Sequence, residues 1–227
     1  SMYSSSVTTG DWETYVAEEL VAYIDRNYRT IPERASRGLA GPSMGGYGTL
    51  RIGMKRPDVF SSLYAMSPCC MQANLEPDST AFEQAAQIES LEQVAEAGFF
   101  TKALLASAAA WSPDPTNPPL YIDMPIADGD IQQDVVAEWA ANATLALVHQ
   151  YVPELRRLTA IAMDAGAQDQ PIAGSTETLS QILTEYSIDH MAEIYDPGNH
   201  INRVDERVEG FVLPFFSEHL ALPSSPD

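Results

Sequence analysis

The segment Gly41-Pro42-Ser43-Met44-Gly45 forms the pattern Gly-x-Ser-x-Gly, in which the central serine can act as a nucleophile. A short strand is predicted before it, at 38–41, and a helix after it, at 47–55. A sharp turn between the two would hold Ser43 in a strained backbone conformation and expose its hydroxyl at the carboxyl edge of a sheet. The backbone N–H of Met44 would then point to where an oxyanion forms, which is the chemistry of acyl transfer.

Four histidines follow this segment as candidates for the base that activates Ser43. His149 falls within a helical stretch and His219 near the end of the last helix, so we expect both to be structural or solvated. His190 precedes a predicted strand on a polar connection. His200 follows a predicted strand, in a loop at the carboxyl edge of the sheet, where a base must sit to reach the serine. We therefore predict that His200 is the base.

An acid that orients the base should lie between serine and histidine along the chain and should follow another strand. The strand predicted at 158–163 is followed by two aspartates, Asp164 and Asp169. Asp164 comes directly after the strand, and Asp169 lies further along the loop, past a glycine. Position along the chain leaves both open, and we expect the other carboxylate to cap a turn or a helix.

The elements predicted around these residues alternate between strand and helix, which indicates an α/β protein with a mainly parallel sheet. A helix capped by Asp11 and running to about Tyr28 comes first, with apolar residues at every fourth position from Trp12. Later elements are predicted at 38–41, 60–66, 158–163 and 191–195 as strands, and at 47–55, 176–186 and 204–220 as helices. Residues 71–155 differ: long helical stretches at 79–97 and 131–150 indicate a helical insertion within a single domain spanning residues 1–227.

The composition excludes several classes of protein. The chain has 227 residues, 45% of them hydrophobic, which suits one folded domain. There are 32 acidic and 12 basic residues, and the formal charge of −20 argues against partners such as nucleic acids or anionic membranes. No apolar run could cross a bilayer. The only cysteines, Cys69 and Cys70, are adjacent and make neither a disulfide framework nor a metal site. We expect no metal, no cofactor and a soluble protein, either cytoplasmic or secreted.

Three segments together resemble the Putative esterase family of α/β-hydrolases: the serine segment with Tyr47-Gly48, Gly166-Ala167-Gln168-Asp169, and Gly198-Asn199-His200. This family includes esterase D, tributyrin esterases, feruloyl esterases and the mycolyltransferase antigens. The resemblance implies that Ser43 is the nucleophile and His200 the base. The family's Gly-x-x-Asp pattern implies that Asp169 is the acid, with Asp164 as second choice.

The same resemblance implies a serine carboxylesterase that works through an acyl-enzyme on small-molecule esters, either short-chain or feruloyl-type. Pro42 stands where esterase D members often have histidine, which argues against a formylglutathione substrate. One alternative is an acyltransferase that uses the same triad. Another is a non-catalytic, truncated hydrolase domain.

The chain departs from the family at its beginning. Family members have several strands before the helix that starts here at Trp12, and a loop among those strands supplies a second oxyanion donor. Residues 1–10 can supply neither, so we expect the N-terminal strands of the fold to be absent from this chain. Strand 38–41 would then be an exposed edge, to be covered by a missing N-terminal segment or by another subunit of a homo-oligomer.

Overall fold

A computed structural model describes residues 1–73, 80–127 and 129–222. The chain divides into two compact units, one formed by residues 1–16 and 72–146 and the other by residues 17–71 and 147–227. The segment 72–146 of the first unit corresponds to most of the insertion expected at 71–155. Its status as an insertion within one domain stays a prediction.

The second unit is built on a four-stranded parallel sheet. Its strands, in the order in which they lie side by side, are β1 (Gly38–Pro42), β2 (Ser62–Met66), β3 (Ala160–Gly166) and β4 (Met191–Tyr195). This arrangement confirms the α/β class. The prediction for β3 was wrong at its end, because the strand continues to Gly166 and Asp164 pairs within the sheet, opposite Met66 and Glu193.

Helices connect these strands and cover the sheet, as parallel topology requires. Helix Met44–Lys55 follows β1 directly, and every residue from Gly46 to Met54 is buried. Such a fully buried helix lacks the polar face of a surface helix, since it packs against strands β1 and β2 and also contacts the short helix Val152–Leu155. Helix Ile172–Glu185 follows β3, and the segment Val204–His219 closes the chain with two α-helical stretches around a π-helical turn.

The first helix begins where Asp11 predicts, since its side chain accepts a hydrogen bond from the N–H of Thr14. It continues to Asn27, with a π-helical segment at Tyr15–Leu20. Trp12 and Leu20 remain 38% and 37% exposed, and Val16 and Ile24 are half-buried, so the predicted apolar face is not fully buried.

The first unit is helical, but its helices are shorter than predicted. The stretch predicted at 79–97 is two helices in the described residues, Thr80–Ala85 and Leu91–Glu96, because Ser90 adopts extended backbone and caps the second one. Position 79 itself lies outside the described residues. The stretch at 131–150 is likewise divided, into Gln133–Ala140, Thr144–Leu147 and a 3₁₀ turn at Val148–Gln150, which already belongs to the second unit. The first unit also contains helix Phe99–Trp111, and the indole rings of Trp111 and Trp139 pack edge to face inside it.

Strand β1 lies at one end of the sheet. Within residues 1–73, 80–127 and 129–222, it pairs only with β2, so it is an edge strand, as predicted. Within these same residues, no helix is both long enough and apolar enough to cross a bilayer.

Candidate active site

Ser43 occupies the turn between β1 and helix Met44–Lys55 and has φ of 55°, a left-handed conformation that is strained for a residue with a side chain. Three backbone hydrogen bonds hold it there. Its N–H donates to the carbonyl of Met66 over 2.9 Å, and its own carbonyl accepts from the N–H groups of Tyr47 and Cys69 at 3.0 and 3.2 Å. The turn is therefore held by the last residue of β2 and the segment after it, as well as by the helix that follows the turn.

Two glycines make room for this turn. A Cβ on Gly41 would lie 2.6 Å from the backbone carbon of Gly45, and one on Gly46 would lie 2.9 Å from the carbonyl oxygen of Met66. A Cβ on Gly45 would meet only the ring of Pro42, at 3.5 Å, which is an ordinary contact. The space for this turn thus comes from Gly41 and Gly46, whereas the second glycine of the Gly-x-Ser-x-Gly pattern is not required by packing.

The predicted nucleophile, base and acid lie in one series of hydrogen bonds. His200 Nε2 is 2.8 Å from Ser43 Oγ, and His200 Nδ1 is 2.8 Å from Asp169 Oδ2. A neutral ring that donates from Nδ1 to the carboxylate leaves Nε2 free to accept the proton of the serine hydroxyl. The Asp169 side chain is 8% exposed and that of His200 is 35% exposed, so the carboxylate is shielded while the ring can meet a substrate.

The loops that carry the acid and the base are tied to each other. The N–H of Gln168 donates to the carbonyl of Gly198 over 2.8 Å, and the N–H of Ala167 donates to the carbonyl of Tyr195 over 2.9 Å. Because these bonds bridge the carboxyl ends of β3 and β4, the separation of Asp169 and His200 is set by the sheet.

The second candidate acid, Asp164, has a different environment. Its Oδ2 accepts hydrogen bonds from the hydroxyl of Tyr64 and from Nε of Arg207, both over 2.8 Å. Burial raises the pKa of Asp164, and the neighbouring Arg207 charge offsets part of that rise. Arg207 also bonds Glu193 and lies over the ring of Phe211. Asp164 thus belongs to a buried ion pair inside the sheet. The expectation that the second carboxylate caps a turn or a helix was wrong for Asp164, because its partner Arg207 lies far along the chain.

The other histidines have local partners. His190 contacts the hydroxyl of Ser180 at 2.8 Å and the carbonyl of Ile188 at 2.9 Å. His149 contacts the hydroxyl of Tyr186 at 3.0 Å. The ring of His219 packs on Phe215. Each of these arrangements suits a structural histidine.

Met44 is the first residue of its helix, so its N–H belongs to the group of amides that have no acceptor within the helix. The positive end of the helix dipole lies at the same point. That this amide would donate to an oxyanion formed beside Ser43 Oγ stays a prediction.

The family model described as "Putative esterase" matches residues 3–221. The chain belongs to this family. It is 41% identical over 59 residues to an esterase of Mycobacterium tuberculosis, a match that covers 26% of this chain and 13% of that protein. It is 37% identical over 71 residues to the S-formylglutathione hydrolase of Rattus norvegicus, covering 29% of this chain and 24% of that one. These matches cover only a small part of either relative's length.

Solved structures share the fold over nearly the whole chain. A ferulic acid esterase superposes with a TM-score of 0.59 at 19% identity, covering 93% of this chain and 62% of that one. A fluorophosphonate-binding serine hydrolase of Staphylococcus aureus superposes with a TM-score of 0.61 at 17% identity, covering 95% and 67%. The fold is that of the α/β-hydrolase esterases.

Proposed function

We propose that this protein is a serine carboxylesterase that acts through an acyl-enzyme, with Ser43 as nucleophile, His200 as base and Asp169 as orienting acid. The observation that carries the proposal is the pair of 2.8 Å hydrogen bonds that connect Ser43 to His200 and His200 to Asp169. Membership of the esterase family supports the reaction class.

In the first half of the reaction, Ser43 Oγ attacks the ester carbonyl carbon while His200 Nε2 takes the hydroxyl proton. The N–H of Met44 donates to the oxyanion of the tetrahedral intermediate. The intermediate then collapses: the bond to the alcohol oxygen breaks, His200 gives its proton to the leaving alcohol, and the acyl group stays on Ser43.

In the second half, a water molecule attacks the acyl carbon and gives a proton to His200 Nε2. Collapse of this second intermediate breaks the bond to Ser43 Oγ, which takes the proton back from His200, and the carboxylic acid leaves. Throughout both halves, the carboxylate of Asp169 stabilises the imidazolium and keeps Nε2 directed at the serine.

The substrates that we propose are short-chain or feruloyl-type esters. The support is the family's range of substrates together with a nucleophile that stands at an open turn, where Met44 is 41% exposed. No cofactor enters the mechanism.

The test is hydrolysis of p-nitrophenyl acetate, p-nitrophenyl butyrate and methyl ferulate by the purified chain and by Ser43→Ala. Ser217→Ala is the matched control, because Ser217 is an exposed serine on helix Leu213–His219. We expect turnover by the parent and the control but not by Ser43→Ala. Equal rates in the parent and Ser43→Ala would contradict the proposal.

A further inference from the structure

Cys69 and Cys70 lie just after β2, and the mechanism above uses neither of them. Both are free and partly exposed. Their sulfur atoms are 2.7 Å apart, so little movement separates them from the bond length of a disulfide, about 2.05 Å. Cys70 has φ of 61°, an unusual backbone conformation that accompanies this close approach.

Cys69 contacts the candidate nucleophile through its backbone. Its N–H donates to the carbonyl of Ser43 over 3.2 Å. This hydrogen bond is one of the three that hold the strained turn from which the Ser43 hydroxyl meets His200. The position of Ser43 Oγ therefore depends on the backbone of Cys69.

We propose that Cys69 and Cys70 form an oxidisable dithiol site and that joining their sulfurs lowers the reactivity of Ser43. Closing the ring between neighbouring residues shifts the backbone of Cys69, so the hydrogen bond from its N–H to the Ser43 carbonyl is lost. Disulfide formation does not depend on the proposed function, whereas its effect on Ser43 rests on that function.

The oxidant is a low-molecular-weight disulfide. The thiolate of Cys69 attacks one of its sulfurs, which forms a mixed disulfide and releases one thiol. The Cys70 thiolate then attacks the Cys69 sulfur and releases the second thiol, so one oxidant molecule is reduced to two thiols as the cysteine pair loses two hydrogens. The chain's charge of −20 favours an uncharged oxidant over an anionic one.

The two cysteines differ in a way that suits these roles. The hydrogen bond from Cys70 lowers the pKa of Cys69, with a smaller contribution from Ser43, and this outweighs the effect of burial. The same bond to Cys69, together with burial, raises the pKa of Cys70. Cys69 is therefore the attacking thiol and Cys70 the resolving one. A disulfide between neighbours is strained and is readily reduced again, so the change is reversible.

The test treats the reduced chain with 2-hydroxyethyl disulfide, an uncharged reagent, and follows two readouts. Intact mass reports the loss of two hydrogens, about 2 Da, on disulfide formation. The rate of fluorophosphonate labelling at Ser43 reports its reactivity. We expect both the mass loss and a labelling rate lower by about fivefold, the scale of one lost hydrogen bond, and we expect dithiothreitol to reverse both.

Cys70→Ser is the matched control, because it keeps Cys69 and removes the resolving thiol. Before treatment it should label at the rate of the reduced parent. After treatment it should gain one reagent thiol on Cys69 instead of losing two hydrogens. A parent protein that keeps its mass, or that gains two reagent thiols, overturns the paired site. Disulfide formation with an unchanged labelling rate overturns the link to Ser43. A reduced protein that takes no label contradicts the proposed function instead. In that case the intact mass still shows whether the disulfide forms.

Discussion

Nε of Arg207 donates a hydrogen bond to Oδ2 of Asp164 over 2.8 Å, at a place in the sheet where both side chains are almost completely buried. Asp164, the first of the two aspartates that follow Met163, is therefore bound to Arg207. The second, Asp169, lies beyond the sheet and meets His200. Two carboxylates only five positions apart therefore have separate tasks, one in holding the sheet and one in the candidate site.

Replacing each aspartate by asparagine should separate these tasks. Asp169→Asn should lower kcat by about 10³- to 10⁴-fold, because an amide no longer fixes the ring of His200 or stabilises its charge. Its melting temperature should change little. Asp164→Asn should instead lower the free energy of unfolding by about 3 kcal/mol and leave the folded enzyme's kcat within a few-fold. Ester hydrolysis and thermal denaturation measure the two effects, and a reversed pattern would make Asp164 the acid.

Arg207→Met should lower the free energy of unfolding by about 3–5 kcal/mol, because it leaves the Asp164 carboxylate buried without its cation. The double variant Arg207→Met with Asp164→Leu should recover most of that loss, since a packed apolar pair avoids the cost of burying charge. Chemical denaturation of the parent, Arg207→Met, Asp164→Leu and the double variant completes a double-mutant cycle. Losses that simply add would contradict the ion pair as described.

The loss in Arg207→Met should also depend on pH. Burial already raises the pKa of Asp164, and removing Arg207, which lowers it, raises the pKa further. As pH rises, the Asp164 carboxyl of the unfolded variant ionises first, with a pKa of about 3.9. Between this pKa and the higher pKa of the folded variant, the folded state binds more protons than the unfolded state. The free energy of unfolding of the variant therefore falls as pH rises through this interval. We expect a smaller difference between variant and parent at pH 4 than at pH 7, measured by urea denaturation. A difference that grows towards low pH would contradict this assignment.

Gly46→Ala should destabilise the protein by about 1–3 kcal/mol, because the new methyl group would meet the backbone of Met66 and Pro68 at 2.9 and 3.0 Å. Gly45→Ala is the matched control, because its methyl group would make only an ordinary contact with the Pro42 ring, at 3.5 Å. It should be neutral or slightly stabilising, since alanine favours a helix more than glycine does. Thermal denaturation of both variants checks the difference, and equal losses would show that the turn does not depend on Gly46.

In the first unit, Ser112→Ala should cost about 1–3 kcal/mol. The buried Ser112 hydroxyl accepts from the indole N–H of Trp139 over 2.8 Å and donates to the carbonyl of Asp123 over 2.7 Å, so both groups would lose their partner. Ser107→Ala is the control, because that hydroxyl bonds only the carbonyl of Ala103 within its own helix. Denaturant titration followed by tryptophan fluorescence compares the two variants, and similar midpoints would contradict the role of Ser112.

The sequence correctly predicted those strands and helices whose ends are set by residues within or next to them. Asp11 caps its helix as its type and position suggest, and strand 191–195 has the predicted bounds. The serine turn was predictable because glycine spacing and a strand-to-helix transition coincide there. The long helix expected at 79–97 was wrong, because alanine and glutamate content favours helix on both sides of Ser90 without showing that this residue starts a new one.

Contacts between distant segments could not be predicted in the same way. Asp164 and Arg207 are 43 positions apart, and the hydrogen bond from the Cys69 N–H to the Ser43 carbonyl depends on β1 and β2 lying side by side. Position along the chain left both Asp164 and Asp169 open because it did not show where β3 ends, and three residues of additional strand placed Asp164 inside the sheet. Such limits depend on pairing with neighbours more than on the strand's own residues.

The most direct test of the central claim is covalent labelling by a fluorophosphonate, with the modified peptide located by mass spectrometry. A serine activated by His200 should react at Ser43 with one label per chain, and Ser43→Ala should take none. His200→Ala should react at least about 10³-fold more slowly, since the serine then lacks its base. Failure of the parent to react, or a label on another residue, would contradict the assignment of Ser43 as an activated nucleophile.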